Sequence, residues 1–280
     1  MSAKVILNAL QKHARGGSNY MYRYVPEAIV TPSEGLSLNY ADLLAQVTNL
    51  SKGLLDEGFG PSTRICASLP NTQANVQLQL ACAITGTTLI TCKEPSDLES
   101  VAAKFDCQGT TSQDFEWLTQ KSNKAGSTAD ILTATGMEEF AFYNGAAKET
   151  KLDHLVQLAR VTSKHFQMTE KDIVVVPVSL NHTMGMAFGV LPALLSGAAV
   201  VLPSATPDPA LVVKALADQQ ATLLIADTHL MGKVNELGQG NEFQAFRGGL
   251  VKVGSGEDIS TVEVRSVLNV TMETVGVVKN

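Results

Sequence analysis

The sequence has little charge and few aromatic residues. Lys, Arg, Asp and Glu together make up 17% of the 280 residues, and aromatic residues make up 5%. A charged fraction below the usual quarter leaves more uncharged surface, which fits burial against partner proteins. The formal net charge of −6 is the wrong sign for binding a phosphate backbone, so we exclude nucleic acid as a partner. No run of 18 or more apolar residues occurs, so we predict no transmembrane segment of its own.

The cysteines and glycines lack the spacings of common metal and nucleotide sites. No C-x-x-C pair occurs, and no His lies near enough in sequence to complete a zinc pattern. We therefore expect no bound metal, and we expect the cysteines to be buried, reduced thiols of an intracellular protein. Neither a G-x-x-x-x-G-K-[ST] loop nor a G-x-G-x-x-G loop is present. The four cysteines are Cys66, Cys82, Cys92 and Cys107.

Residues 1–26 contain no acidic residue, and the first acid in the chain is Glu27. Basic residues alternate there with apolar ones, as in a mitochondrial targeting segment. The alternative is a short first helix whose charges are solvated. We treat residues 1–26 as a basic N-terminal arm and predict a mitochondrial location, with the cytoplasm as the alternative. The residues concerned are Lys4, Lys12, Arg15 and Arg23, with Val5, Ile6, Leu7 and Leu10.

From Asn39 onward the pattern alternates between helix and strand. Asn39 is a plausible N-cap for an amphipathic helix that ends at Gly58. Continuous apolar runs such as 172–178 are separated by helical segments, which is typical of parallel strands with both faces covered. Residues 108–137 are rich in small polar residues and read as a connection. This predicts an α/β chain with a first subdomain over 27–137 and a second over 138–280.

The order of several short segments resembles the adenylate-forming superfamily, which includes acyl-CoA synthetases, peptide-synthetase adenylation domains and luciferases. The resemblance spans about residues 25–280. It rests on Tyr40-Ala41-Asp42-Leu43-Leu44, Gly60-Pro61, Arg64-Ile65, Leu69-Pro70-Asn71, residues 172–178, Asn181-His182-Thr183-Met184-Gly185, Leu191-Pro192-Ala193-Leu194-Leu195, Gly197-Ala198 and Met272-Glu273-Thr274. It implies the large domain of such enzymes, with two stacked, mostly parallel sheets and flanking helices, without the C-terminal domain.

The family joins a carboxylate to ATP, and the chain departs from its pattern where ATP would bind. The phosphate loop should follow Tyr143, yet residues 144–151 read Asn-Gly-Ala-Ala-Lys-Glu-Thr-Lys and lack its hydroxyls. In the next motif Asn269 replaces the aromatic that stacks on adenine, and Met272 replaces a phosphate-binding hydroxyl unless Thr271 substitutes for it. The lysine-bearing domain is absent from the 280 residues.

Three vestigial site residues remain by this resemblance. Lys148, with Lys151 as the alternative, matches the loop lysine; His182 matches a position that lines the acyl pocket; and Glu273 matches the magnesium carboxylate. A lone carboxylate binds Mg²⁺ poorly, and His182 reads equally as a packing or capping residue. We therefore expect no catalytic residue, no bound cofactor and no metal ligand. His154 and His165 lie eleven residues apart and cannot share a metal on one helix.

These departures favour a pseudoenzyme. We interpret the chain as a non-catalytic accessory subunit of a larger mitochondrial complex, with an ATP synthase scaffold as one example, derived from an acyl-CoA synthetase-like enzyme and contacting other subunits through the N-terminal arm. One alternative is a ligand-binding module for acyl-CoA or nucleotide. The other is a split adenylate-forming ligase that acts with a second chain.

Overall fold

A computed structural model describes residues 2–16, 26–92, 94–112, 141–144, 148–241, 243–253, 266–267 and 270–275. The helices are α1 (Ser2–Ala14), α2 (Tyr40–Asp56), α3 (Gln73–Thr85), α4 (Leu98–Lys104), α5 (Leu152–His165), α6 (Met184–Val190), α7 (Leu191–Ser196), α8 (Pro209–Asp218) and α9 (Thr228–Gly238). The strands are β1 (Glu27–Thr31), β2 (Leu36–Asn39), β3 (Arg64–Ala67), β4 (Thr88–Thr91), β5 (Gly109–Thr111), β6 (Ala141–Asn144), β7 (Lys148–Lys151), β8 (Ile173–Val175), β9 (Ala199–Val201), β10 (Leu223–Asp227), β11 (Gly248–Lys252), β12 (Ser266–Val267), β13 (Val270–Thr271) and β14 (Glu273–Val275).

The strands form two main sheets in the described part of the chain. The large sheet has the order β14-β11-β10-β8-β9-β1-β2, and the small sheet has the order β5-β3-β4-β6-β7. Neighbouring strands are parallel except for the edge strands β2 and β7, which pair antiparallel to β1 and β6. The predicted class, α/β with two mostly parallel sheets and flanking helices, is confirmed.

The predicted subdomain boundary at residues 137 and 138 does not coincide with the division between the sheets. Strand β1 comes from the first half of the chain but pairs with β9 in the large sheet. Strand β6 comes from the second half but pairs with β4 in the small sheet. Each sheet is therefore built from both halves, and residues 109–111, predicted as connection, form an edge strand of the small sheet.

A shared core lies between the two sheets. Alternate residues of one strand face opposite ways, so Val174 and Val200 face the shared core while Val175 and Val201 pack under α8 and α9. Helix α3 contacts β1 of the large sheet and β4 of the small sheet. This double contact explains why both faces of α3 are apolar. Helix α4 covers the other face of the small sheet.

Residues 2–14 are a packed helix. Ala3, Ile6, Leu7 and Leu10 are buried in the same core as α2 and α3. Residues 2–14 therefore form the short first helix that was the alternative for this segment, and its apolar face is occupied within the chain. Residues 17–25 lie outside the described residues.

Local sequence signals place several elements correctly. Asn39 caps α2, since its side-chain oxygen accepts hydrogen bonds from the backbone amides of Ala41 and Asp42. Gly86 ends α3 with a φ of 78°, a left-handed conformation that glycine adopts without strain. Across the described residues, the search for a helix both long and apolar enough to span a membrane found none.

Candidate functional site

The carboxyl ends of strands from both sheets meet around Asn71, which follows β3. Asn71 is 5% exposed. Its side-chain nitrogen donates to the carbonyls of Pro177 (3.3 Å) and Val178 (3.0 Å), just beyond β8. Its side-chain oxygen accepts from the backbone amide of Leu180 at 2.9 Å. Its own backbone amide donates to the carbonyl of Ala205, beyond β9, at 3.0 Å. One buried amide thus ties together segments that leave both sheets.

Two further amides of α3 extend this contact. Asn75 and Gln79 lie four residues apart, on one face of the helix, and are 1% and 2% exposed. Asn75 donates to the carbonyl of Leu69 and to the side chain of Asn181, both at 3.0 Å. Gln79 donates to the Asn75 side chain and to the carbonyl of Leu180. We call Asn71, Asn75, Gln79 and Asn181 the amide network.

The amide network holds residues 176–183, which carry His182. The imidazole Nδ1 of His182 accepts a hydrogen bond from the backbone amide of Met184 at 3.0 Å. The network therefore assigns a neutral ring with its proton on Nε2. The His182 side chain is half-buried at this edge of the sheets.

Helix α6, which follows His182, has the wide π-type geometry. The amide of Leu191 donates to the carbonyl of Met186, five residues earlier. Such turns occur often at functional sites. The helix packs very closely on the preceding loop, because a Cβ added at Gly185 would lie 2.5 Å from the carbonyl oxygen of Ser179. The glycine of the predicted Asn181–Gly185 motif is therefore required by packing.

Lys148 lies at the same edge as His182. In the small sheet Thr91 is the register partner of Asn144, and Asn144 is the partner of Lys148. Each step across the ladder is about 4.8 Å. Thr91 also donates from its hydroxyl to the carbonyl of Asn181 at 3.2 Å. The backbone of Lys148 in β7 therefore lies two strands away from Thr91 in β4, which contacts the loop of His182.

The connection between β6 and β7 is short. Asn144 and Lys148 are paired residues of the two strands, so three residues, 145–147, join them, and these lie outside the described residues.

Glu273 lies apart from Lys148 and His182. Its carboxylate is 3.9 Å from Nε2 of His165, and both side chains are 57% exposed. His165 precedes Phe166, whose carbonyl accepts a hydrogen bond from Arg247. Arg247 also donates to the buried carboxylate of Asp172, the residue before β8. Glu273 itself is the first residue of β14, is in register with Leu250 of β11 and contacts the end of α5.

Among the remaining predicted positions, Met272 does not belong to this edge. Met272 is 1% exposed and packs in the core beneath α8 and α9, so it is a structural residue. Asn269 and Gly254-Ser255-Gly256 lie outside the described residues, as do the side chains of Thr271 and Lys148. Among the residues that the structure describes, no three His, Cys, Asp or Glu side chains are grouped to hold a metal ion.

A groove of about 630 Å³ lies between α1 and α5. Arg160 and Lys164 line it, together with Thr169, which contacts Asp172 before β8. The groove is therefore on the amino-end side. Ligands of parallel α/β sheets bind beyond the carboxyl ends of the strands, so the edge that carries His182 is the stronger candidate.

Comparisons with known proteins agree with this fold. Residues 145–278 match the family model described as AMP-binding enzyme. A crystal structure of a putative long-chain fatty-acid CoA ligase from Rhodopseudomonas palustris superposes over 95% of this chain and 74% of its own, with a TM-score of 0.71 at 16% identity. The N-terminal domain of FACL13 from Mycobacterium tuberculosis superposes over 98% of this chain and 75% of its own, with a TM-score of 0.72 at 12% identity. The resemblance to the N-terminal domain of adenylate-forming enzymes, identified from the sequence, is confirmed.

Curated relatives within the superfamily are acyl-CoA ligases. Acyl-CoA ligase sidI of Aspergillus fumigatus is 24% identical over 71% of this chain. The mitochondrial medium-chain acyl-CoA ligase ACSF2 of mouse is 31% identical over 48% of this chain. The matches span 43% and 21% of those proteins, so this chain corresponds to less than half of either relative.

The interpretation of the chain as a structural accessory subunit, with an ATP synthase scaffold as the example, is wrong. The curated relatives are acyl-CoA ligases by name, and the Rhodopseudomonas palustris structure is a CoA ligase by name, so the family points to ligase chemistry and not to a scaffold. The resemblance itself was identified correctly from the sequence. The error lay in taking missing phosphate-loop hydroxyls as a sign of a structural role.

The amide network was missed as a functional element. Asn71 and Asn181 contributed to the resemblance but received no role. Asn75 and Gln79 carried a signal, since they are amides four residues apart on one face of a helix that is buried along most of its length. A buried amide needs hydrogen-bond partners, so this spacing already predicts a polar contact between α3 and a loop.

Proposed function

We propose that this chain binds an acyl group, as a free carboxylate or as a CoA thioester, at the edge where the carboxyl ends of the two sheets meet. The observation that carries the proposal is the amide network, which fixes the loop of His182 against both sheets. A binding site requires side chains that neighbouring hydrogen bonds hold in place. Here the side-chain amides of Asn71, Asn75 and Gln79 all donate hydrogen bonds to the loop that carries His182.

The chemistry of His182 fits an oxygen-bearing ligand. With Nδ1 accepting from Met184, the ring carries its proton on Nε2, and an imidazole N–H is a group that binds carboxylate and thioester oxygens. The buried apolar residues of α6 that follow, Met184, Met186 and Ala187, supply apolar surface beside it. A few placed polar groups next to apolar surface are the usual composition of a small-molecule site.

The names of the relatives support an acyl ligand. The curated relatives are called acyl-CoA ligases, and ACSF2 is called a medium-chain one. O-succinylbenzoate CoA synthetase of Bacillus subtilis also shares the fold, with a TM-score of 0.66. We infer a medium-chain acyl group as the first ligand to test.

The described residues do not fit a magnesium–ATP site. The carboxylate of Glu273 lies 3.9 Å from His165 and belongs to the large sheet, whereas Lys148 belongs to the small sheet. We therefore propose that the chain alone binds its ligand without turning it over.

A second candidate function is adenylation with help from residues outside this chain. The position of Lys148 at the edge that carries His182 favours it. On this proposal the acyl ligand binds as above, and a second polypeptide completes the nucleotide site. Release of pyrophosphate from ATP and a medium-chain fatty acid by the purified chain, alone or after addition of cell extract, measures this activity. Release that His182→Ala abolishes would establish the ligase and overturn binding without turnover.

Isothermal titration calorimetry with octanoyl-CoA, octanoate and ATP tests the binding proposal. We expect octanoyl-CoA or octanoate to bind the wild-type chain and His182→Ala to weaken that binding at least tenfold. His154→Ala is the matched control, because His154 is exposed on α5. Equal binding by both variants would place the ligand elsewhere, and no binding of either acyl ligand at millimolar concentration would refute the proposal.

We also propose a mitochondrial location. The mouse and rat relatives named ACSF2 are mitochondrial by name, and residues 1–26 are basic and free of acid. Fluorescence microscopy of the tagged chain beside a mitochondrial marker tests this location, and a diffuse cytoplasmic signal would refute it.

A further inference from the structure

Three of the four cysteines lie together on the face of the small sheet that α4 covers. Cys66 is in β3, and its register partner in β4 is Ile90. Cys92 lies two residues after Ile90 and so points to the same face of the sheet. Cys66, Ile90 and Cys92 all belong to the core beneath α4. Cys107, between α4 and β5, packs against that core.

The thiols of this group are close enough to influence one another. The thiol of Cys66 interacts with the side chains of Cys107 and Cys92, which share or pack against the same core. Sequence spacing does not reveal the group, because the three cysteines are brought together by pairing of β3 with β4 and β5. Cys82 is fully buried in α3, in the separate core between the two sheets.

The two thiols Cys66 and Cys107 have different surroundings. Cys66 is fully buried, whereas Cys107 is half-buried. Arg64 lies beside Cys107, held by a 2.7 Å hydrogen bond from its guanidinium to the carbonyl of Phe105. The hydrogen bond from Cys66, aided by Arg64, lowers the pKa of Cys107. The same hydrogen bond together with burial raises the pKa of Cys66. An accessible, cationic surrounding is the one in which thiols become reactive.

We propose that Cys107 and Cys66 form a disulfide when the protein meets a hydroperoxide. The Cys107 thiolate attacks one peroxide oxygen, the O–O bond breaks, and the leaving oxygen takes a proton and departs as water or an alcohol. The Cys66 sulfur then attacks the resulting sulfenic acid, the S–S bond forms, and the S–O bond breaks. The hydroxide leaves as water with the Cys66 proton. The two sulfurs together lose two electrons, and the peroxide oxygens gain them.

This disulfide would fasten β3 to the segment between α4 and β5. It does not involve the edge that carries His182, so its test is independent of ligand binding. Cys92 interacts with Cys66 as well, but it is 3% exposed, and burial raises its pKa. A peroxide therefore meets Cys107 first.

Peptide mapping of the folded, full-length chain tests the proposal. The chain is treated with hydrogen peroxide, blocked with an alkylating reagent and digested without reduction. Trypsin alone leaves Cys66, Cys82 and Cys92 in one peptide of residues 65–93, so chymotrypsin is added to separate them. We expect free thiols to fall from four to two, with a linked pair of peptides that contain Cys66 and Cys107.

Variants provide the controls. Cys107→Ser should abolish the link, while Cys92→Ser and Cys82→Ser should retain it. Circular dichroism of each variant shows that it is folded, and the wild-type map stands on its own if one of them is not. A Cys66–Cys92 link, a link between two chains through Cys107, or oxidation of Cys107 beyond sulfenic acid with no link would overturn the proposal.

Discussion

Replacing Asn71 by Ala should both destabilise the fold and weaken ligand binding. The change removes two donated bonds, of 3.3 and 3.0 Å, and one accepted bond of 2.9 Å. It leaves the amide of Leu180 and the carbonyl of Val178 without their partner, in residues that are 0% and 6% exposed. An unsatisfied buried group costs about 1–3 kcal/mol, so we expect a loss of about 3 kcal/mol. For a protein of this size that corresponds to about 5 °C in Tm.

Chemical and thermal unfolding measure the loss. In urea, the midpoint should fall while the slope stays unchanged, because the surface exposed on unfolding is the same. Asn8→Ala is the matched control, since Asn8 is exposed on α1, and its effect should stay within about 0.5 kcal/mol. If Asn71→Ala leaves the midpoint at the wild-type value, the amide network does not hold the loop and the site argument fails.

Asn71→Asp removes the hydrogen bonds that the Asn71 side chain donates but keeps the one that it accepts. A carboxylate keeps the bond from the Leu180 amide but turns its other oxygen against the carbonyls of Pro177 and Val178. A buried charge facing two carbonyl oxygens is costlier than a missing side chain, so this variant should be the less stable of the two at neutral pH. Lowering the pH should recover part of the loss, because the protonated acid can donate again. Equal stability of Asp and Ala variants at both pH values would refute this.

Further outcomes follow from residues of the core. Burial lowers the pKa of His13 below its usual 6.5, so as the pH falls the unfolded chain takes up this proton before the folded chain does. The free energy of unfolding should therefore be highest above about pH 6.5 and should decrease as the pH drops below it. In urea titrations from pH 5 to 7.5, His13→Gln should reduce this dependence on pH. Tyr40→Phe should cost about 1 kcal/mol, because the hydroxyl donates to the carbonyl of Ala198 at 2.8 Å in the core; an unchanged urea midpoint would contradict this. Gly185→Ala should destabilise the fold by about 2 kcal/mol and weaken acyl binding, because the added Cβ would meet backbone atoms. Gly232→Ala should instead stabilise helix α9 by about 0.5–1 kcal/mol, because no atom lies within 4 Å of the added Cβ. Equal effects of the two changes on the urea midpoint would contradict both predictions.

Local patterns predict much of the fold. The N-cap at Asn39 and the apolar spacing after it predict a helix ending near residue 58, and α2 runs from Tyr40 to Asp56. The apolar run at 172–178 predicts a buried strand, and β8 occupies Ile173–Val175 within it. Such signals depend on neighbours in sequence, so one chain is enough to read them.

Long-range pairing limits what the sequence predicts. Strands β1 and β2 precede helices α2 to α4 of the first half, yet they complete the large sheet through the pairing of Ile29 with Val200. No local pattern specifies that partner. The strand at 109–111 is likewise fixed by its pairing with β3, because Gly109 and its two threonines resemble a polar connection when read alone.

At the candidate site, too, the sequence identifies some positions but not the contacts that depend on the fold. The resemblance identified His182 and Lys148, and the structure places both positions at one edge. It also grouped Glu273 with them, whereas the structure pairs Glu273 with His165. The role of Asn75 depends on a contact with Asn181, which is 106 residues away. A contact of that kind is a property of the fold and cannot be read from either segment.

Calorimetric titration of the purified chain with octanoyl-CoA tests the central claim most directly. The account predicts saturable binding to one site per chain, weakened at least tenfold by His182→Ala and unchanged by His154→Ala. We also expect no heat of binding for magnesium–ATP, because residues 144–151 have lost the hydroxyls of the family's phosphate loop. Absence of acyl-CoA and octanoate binding, or tight binding of ATP with the same dependence on His182, would contradict it.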